Sequence, residues 1–69
     1  MMLTKKQTVI ENILNDAKVY QNMDEYTKEI FNDNYSWKGL IEDIDEELEF
    51  ETMNLNKENV LILFNEYIY

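Results

Sequence analysis

The sequence contains no cysteine, histidine, arginine or proline, and it has a single glycine. Without cysteine there is no disulfide and no thiolate to bind a metal or attack a substrate. Without histidine the chain lacks the commonest general base and the commonest metal ligand, and Ser36, its one serine, has no histidine to activate it. We therefore expect a protein that is not an enzyme and that has no cofactor and no metal site.

Long apolar runs are also missing. No segment approaches the ~18 consecutive apolar residues that span a bilayer, and the start, MMLTKKQTVIENIL, has no apolar stretch of the kind found in signal peptides. The sequence predicts a cytoplasmic protein that does not contact membrane. A chain of 69 residues forms one domain at most, so we expect a single domain over 1–69.

Negative charge dominates and is unevenly distributed. The formal net charge is −9: residues 1–38 carry five lysines against six acids, and residues 39–69 carry one lysine against nine acids. Nucleic acid and anionic membrane repel such a chain. Its expected partners are basic protein surfaces, with no direct contact to nucleic acid.

Four segments show the apolar spacing of helices, in which residues on one face recur every three or four positions. We expect helices over about 5–21, 23–32, 37–49 and 57–69, each preceded by a polar side chain that caps the first backbone N–H groups. The sequence thus predicts an all-α fold, a small bundle of three to four short helices. The alternative is an α+β fold with a C-terminal hairpin, because the run VLILF also suits a buried strand that pairs with LEFETM.

The segment IEDIDEELEFE, residues 41–51, holds seven carboxylates in eleven residues. Several of them are like-charge pairs four residues apart, which cost about 0.2–0.5 kcal/mol each in a helix. A solvated face explains such a run, but a strip that docks into a cationic groove, or weak divalent cation binding, explains it too. An EF-hand loop is excluded, because its sixth position is Leu48 and its twelfth is Asn54. The predicted partner-binding residues are Glu42, Asp43, Asp45, Glu46, Glu47, Glu49 and Glu51, with Tyr35 as an apolar anchor.

Apolar surface supports a second kind of function. Trp37 begins the apolar stripe of the third predicted helix, and the sequence leaves open whether its side chain belongs to the core or to an interface. Tyr35 is the better candidate for an exposed side chain. An amphipathic last helix in a chain this small also suits a homodimer seam. The alternative function is a small helical homodimeric interaction or regulatory module, similar to an antitoxin or an adaptor.

With its short length, its lack of catalytic residues and the block EDIDEELEFE, the chain resembles the small acidic inhibitors made by phages and mobile elements, of the anti-CRISPR or anti-restriction DNA-mimic type. That resemblance implies a stoichiometric inhibitor that acts in the host cell cytoplasm, if a phage encodes it, and that binds the DNA-contacting surface of a nuclease effector. The acids at 42–51 would act as phosphate mimics in the basic groove of that nuclease or of another DNA-binding protein. Residues 1–38, which are nearly neutral, depart from the pattern of mimics that are acidic throughout.

Overall fold

Each helix begins at a polar side chain that accepts a hydrogen bond from the backbone N–H three residues later. In the computed structural model, which describes residues 3–69, the hydroxyl of Thr4 accepts from Gln7 N at 3.1 Å and the Gln7 amide oxygen accepts from Thr4 N at 3.2 Å, a complete capping box. The other three caps are Asp24, Ser36 and Asn56. These caps satisfy backbone donors that the first turn leaves unpaired.

Four helices follow from these caps: α1 (Lys5–Asp16), α2 (Glu25–Asn34), α3 (Trp37–Phe50) and α4 (Lys57–Ile68). Residues 3–69 contain no strand, so the predicted all-α fold is confirmed and the alternative hairpin is wrong. LEFETM, the first segment proposed for the hairpin, covers the end of α3 and the turn that follows it. VLILF, the second segment, lies inside α4. Met1 and Met2, which the expected domain over 1–69 includes, lie outside the described residues.

The end of α1 differs most from the sequence prediction, since α1 stops at Asp16 and not near residue 21. Lys18 adopts a left-handed backbone with φ 54°, and the N–H groups of Lys18 and Val19 bond back to the carbonyls of Asn15 and Leu14 at 3.0 and 3.4 Å. This is the Schellman arrangement, which usually has glycine at the left-handed position. Residues 17–22 therefore form turns.

The core lies where α1, α3 and α4 pack against one another. Helix α3 contributes most, with Leu40, Ile41, Ile44 and Leu48 all buried on one face. Helix α2 buries Phe31 alone and lies at the edge of the bundle. Trp37 is half-buried and packs against the rings of Phe31 and Tyr20, at centroid distances of 5.2 and 6.2 Å. The remaining buried apolar residues are Ile10, Leu14, Met23, Val60, Leu63 and Phe64.

Helix α3 ends in a second Schellman motif with an unfavourable residue at its left-handed position. Thr52 has φ 51°, Met53 N donates to Leu48 O at 2.9 Å, and Thr52 N donates to Glu49 O at 3.2 Å. A β-branched side chain at this φ is a rare and strained choice. The turn nevertheless sets where α3 stops and so fixes which residues form its last exposed turn.

Replacing Thr52 with glycine is expected to raise the free energy of unfolding by about 0.5–1 kcal/mol. Relief of the left-handed strain, about 1–2 kcal/mol, exceeds the extra backbone entropy that glycine loses on folding, about 0.5–1 kcal/mol. Urea denaturation followed by circular dichroism measures the change. Asn54→Gly is the control, because Asn54 has no positive φ and should gain nothing; equal or lower stability of the Thr52 variant would contradict the strain assignment.

Candidate functional site: the outer face of α3

The side of α3 away from its buried stripe carries Asp43, Glu46 and Phe50, with Glu47 at the edge next to Tyr67 of α4, and we call these four residues the outer face. Asp43, Glu46 and Phe50 are three, four or seven positions apart and therefore lie on one side of the helix, and Glu47 is four positions from Asp43 and three from Phe50. Asp43 and Glu46 are exposed and Glu47 is half-buried. Phe50 is 83% exposed, more than any other large apolar side chain in residues 3–69.

Asp45 and Glu49, on one flank of α3, are engaged by α1 and do not belong to the outer face. Lys6 Nζ lies 3.2 Å from Asp45 Oδ1 and 3.2 Å from Glu49 Oε1. Gln7 Nε2 donates to Asp45 Oδ2 at 3.2 Å, and the Asp45 side chain is only 18% exposed. Burial lowers the pKa of Lys6, but its contacts with the carboxylates of Asp45 and Glu49 outweigh this, so the pKa stands above its usual value. This cluster holds α1 against α3.

Glu42 and Glu51 are the remaining members of the predicted acidic strip. Glu42 lies 3.5 Å from Lys38, one helical turn earlier, in an exposed ion pair. Glu51 caps the end of α3 and is exposed. The seven predicted acids thus divide into three that contact lysine and four that have no lysine partner among residues 3–69, namely Asp43, Glu46, Glu47 and Glu51.

Tyr67 of α4 lies beside the outer face and is influenced by its charge. The Tyr67 hydroxyl donates to the backbone carbonyl of Asp43 at 3.2 Å. Burial raises the pKa of this phenol above its ordinary value, and so do the nearby carboxylates of Glu47, Asp43, Glu46 and Glu66. Glu66 therefore extends the negative region from α3 onto α4.

Tyr35, predicted as the apolar anchor of the strip, lies at the other end of α3. The helical rise separates Tyr35 from Phe50 by roughly 20 Å. The Tyr35 ring stacks on Phe31 at 5.8 Å, and its hydroxyl donates to Tyr67 O at 3.3 Å. It lines an apolar groove of about 230 Å³ between α2 and the end of α4, which we call the α2–α4 groove. The other lining residues are Tyr26, Thr27, Ile30, Phe31, Ile68 and Tyr69.

Phe50 is the residue of this surface that the sequence prediction missed. The predicted third helix ended at about residue 49, which left Phe50 in a connector. In the structure it is the last residue of α3 and completes the outer face. Its spacing from Asp43, Glu46 and Glu47, at seven, four and three residues, is the signal that identifies it once the helix is extended by one position.

The chemistry that this surface supports is recognition of positive charge. Within residues 3–69, no three carboxylates come together in an arrangement that could hold a metal ion. None of the four helices is long and apolar enough to cross a bilayer. Carboxylates beside an exposed ring offer charge-assisted hydrogen bonds and cation–π contact to arginine or lysine side chains.

Replacing Lys6 with methionine is expected to lower the free energy of unfolding by about 1 kcal/mol. The substitution leaves the mostly buried Asp45 without its counterion. We expect a cost between that of breaking an exposed ion pair and that of breaking a fully buried one. Chemical denaturation measures it. Lys38→Met, which breaks the exposed pair with Glu42, is the matched control and should change stability by less than about 0.5 kcal/mol. Equal effects of the two variants would contradict the structural role of Asp45.

Neutralising the outer face should lower the pKa of Tyr67. In Asp43→Asn/Glu46→Gln/Glu47→Gln the phenol loses three of the carboxylates that disfavour its ionisation, so its pKa should move toward 10.0 but stay above it, because the burial remains. The Tyr67 hydrogen bond survives, since it uses the Asp43 backbone. NMR titration of the labelled ring measures the shift.

The matched control for that titration neutralises three exposed acids on α2 in Asp33→Asn/Glu25→Gln/Glu29→Gln. It removes the same charge from two glutamates and one aspartate but away from Tyr67, so the Tyr67 pKa should remain near that of the unsubstituted chain. An equal fall in both variants would mean that overall charge, and not the outer face, sets the field at Tyr67.

Comparison of the chain with protein-family models, with curated proteins and with solved structures found no match.

Proposed function

We propose that this protein is a non-enzymatic inhibitor of a nucleic-acid-binding effector, of the anti-CRISPR or anti-restriction type, that blocks DNA binding in the host cytoplasm. The observation that carries the proposal is the outer face of α3, where Asp43, Glu46 and Glu47 have no lysine partner among residues 3–69. Asp43 and Glu46 are exposed to solvent, while Leu40, Ile41, Ile44 and Leu48 of the same helix are buried in the core. The outer face would occupy the basic groove that otherwise receives DNA.

Spacing and charge support phosphate mimicry. Carboxylates on successive turns of a helix stand roughly 5–6 Å apart, comparable with neighbouring phosphates of one DNA strand. Residues 39–69 carry nine acids against one lysine. Binding to a basic groove would release the counterions of both surfaces, as DNA does, and would weaken steeply with salt.

The dimensions of the protein are also compatible with blocking such a groove. The chain measures 32 × 26 × 21 Å along its principal axes. Its long axis equals the length of about nine base pairs of duplex, at ~3.4 Å per base pair. Even its shortest axis, 21 Å, equals the length of about six base pairs, so a bound copy would exclude a segment of DNA in any orientation.

A second candidate function uses the α2–α4 groove instead of the outer face. Tyr26 and Tyr69, each 72% exposed, and Ile30, 40% exposed, border this apolar surface. Burying it would suit a homodimer or an adaptor-like contact with another helix. Such an interface would be nearly indifferent to salt, whereas the outer face would be sensitive to it.

Inhibition of DNA cleavage tests the leading proposal. A purified type II CRISPR nuclease loaded with guide RNA, and a panel of restriction enzymes, are assayed on duplex DNA at several salt concentrations with increasing amounts of the chain. We expect stoichiometric inhibition of a susceptible nuclease that weakens as salt rises. Asp43→Asn/Glu46→Gln/Glu47→Gln should raise the inhibitory concentration at least tenfold, about 1.4 kcal/mol.

The α2 variant Asp33→Asn/Glu25→Gln/Glu29→Gln has the same net charge and should inhibit nearly as well as the unsubstituted chain. Circular dichroism and urea denaturation establish that both variants are folded. If the outer-face variant inhibits as strongly as the unsubstituted chain, or if no nuclease in the panel is inhibited, the proposal is wrong for these effectors. Loss of inhibition in Tyr26→Ala would instead favour the α2–α4 groove.

A further inference from the structure

Phe50 is unusual because it is a purely apolar ring, 83% exposed, at the end of the outer face. Tyr26 and Tyr69 are nearly as exposed but carry hydroxyl groups that water can bind. Isolated apolar side chains on a surface are common, but aromatic rings are enriched at the centres of protein interfaces. The surroundings of Phe50 therefore decide how it should be interpreted.

Those surroundings are acidic and open. Asp43, Glu46 and Glu47 precede Phe50 on the same face, and none of them contacts a lysine in residues 3–69. On the neighbouring flank, by contrast, Lys6 contacts both Asp45 and Glu49. The lysines of the chain thus neutralise acids beside the outer face and leave the carboxylates around Phe50 available.

We propose that the outer face docks a basic segment of a partner protein, with Phe50 packed between its arginine or lysine side chains and an adjacent aliphatic residue. This inference rests on the proposed function and names the chemistry of the partner at that same face. A guanidinium group can stack on the ring and still bind a neighbouring carboxylate, and its aliphatic stem covers apolar surface. A carboxylate-flanked ring is complementary to each of these features.

Charge complementarity selects this occupant over the others. A second copy of the chain would place the same carboxylates against one another in a two-fold contact, between molecules of net charge −9. Duplex DNA and anionic lipid present negative charge to the face. A basic protein segment is the occupant that satisfies both the carboxylates and the ring.

The ring also distinguishes this surface from a simple copy of a phosphate backbone. Phosphate mimicry alone would give affinity that salt abolishes and that any basic groove could share. An aromatic anchor adds a contribution that salt does not screen and that requires an apolar contact in the partner. Phe50 would therefore restrict the targets to basic surfaces with an aliphatic or guanidinium site at the matching position.

Two designed peptides test the inference without knowledge of the natural target. One is a helical peptide of about 15 residues with arginine and leucine on one face, and the other has every leucine replaced by serine. Fluorescence anisotropy gives the Kd of each. We expect Phe50→Ala to raise the Kd of the leucine peptide at least tenfold and that of the serine peptide less than about threefold, as for loss of an interface anchor.

The matched control is Ile62→Ala, which truncates an apolar side chain of α4 that is 44% exposed and lies neither in the outer face nor in the lining of the α2–α4 groove, so it should leave both affinities unchanged. Asp43→Asn/Glu46→Gln/Glu47→Gln should raise the Kd of both peptides at least tenfold at low salt. Phe50 is exposed, so Phe50→Ala should keep its helix content, which circular dichroism checks. If Phe50→Ala binds both peptides like the unsubstituted chain, or if the unsubstituted chain binds neither, the inference is wrong.

The same variant in the cleavage assay separates this inference from the proposed function. If Phe50→Ala inhibits a nuclease as strongly as the unsubstituted chain does, the proposed function is supported and the role of Phe50 as an anchor is overturned. Peptide binding that depends on Phe50, without inhibition of any nuclease, would support the anchor and overturn the proposed function. Loss of inhibition in Phe50→Ala supports both.

Discussion

The buried stripe of α3 is the constraint on which the rest of the structure depends. Leu40, Ile41, Ile44 and Leu48 are each no more than 1% exposed, and they pack between α1 and α4. Once one side of a helix is committed to a core, every charged residue of that helix must lie on the remaining arc. Because α3 is also the most acidic segment, core formation itself concentrates carboxylates on one surface of the molecule.

The lysines then divide that surface into parts with different roles. Lys6 reaches from α1 to Asp45 and Glu49 and converts one flank of α3 into a structural contact. Lys38 compensates Glu42 within the helix. The outer face receives no lysine from residues 3–69, and Tyr67, whose pKa is raised by burial and by the neighbouring carboxylates, reports the resulting field. An acidic surface that only kept the protein dispersed would not require this separation.

Helix bounds were predicted well where a capping residue and the apolar spacing lie close together in the sequence. The Ser36 cap and the apolar spacing placed α3 to within one residue, whereas the end of α1 was missed because Tyr20 continued the apolar spacing and a non-glycine residue, Lys18, formed the left-handed turn. The contact of Lys6 with Asp45 joins residues far apart in sequence, so no local pattern could reveal that two predicted site acids are engaged internally. Phe50 was missed because a one-residue error at a helix end removes a side chain from its face.

If the protein acts through open negative charge on the outer face, its binding to a partner must weaken as the salt concentration rises. The immobilised chain is incubated with lysate of a bacterium that carries CRISPR and restriction systems, then eluted with a salt gradient. We expect to recover a DNA-binding protein that is released at moderate salt and is displaced by duplex DNA. A partner that remains bound at high salt and ignores DNA, or recovery of further copies of this chain alone, would contradict this role of the outer face.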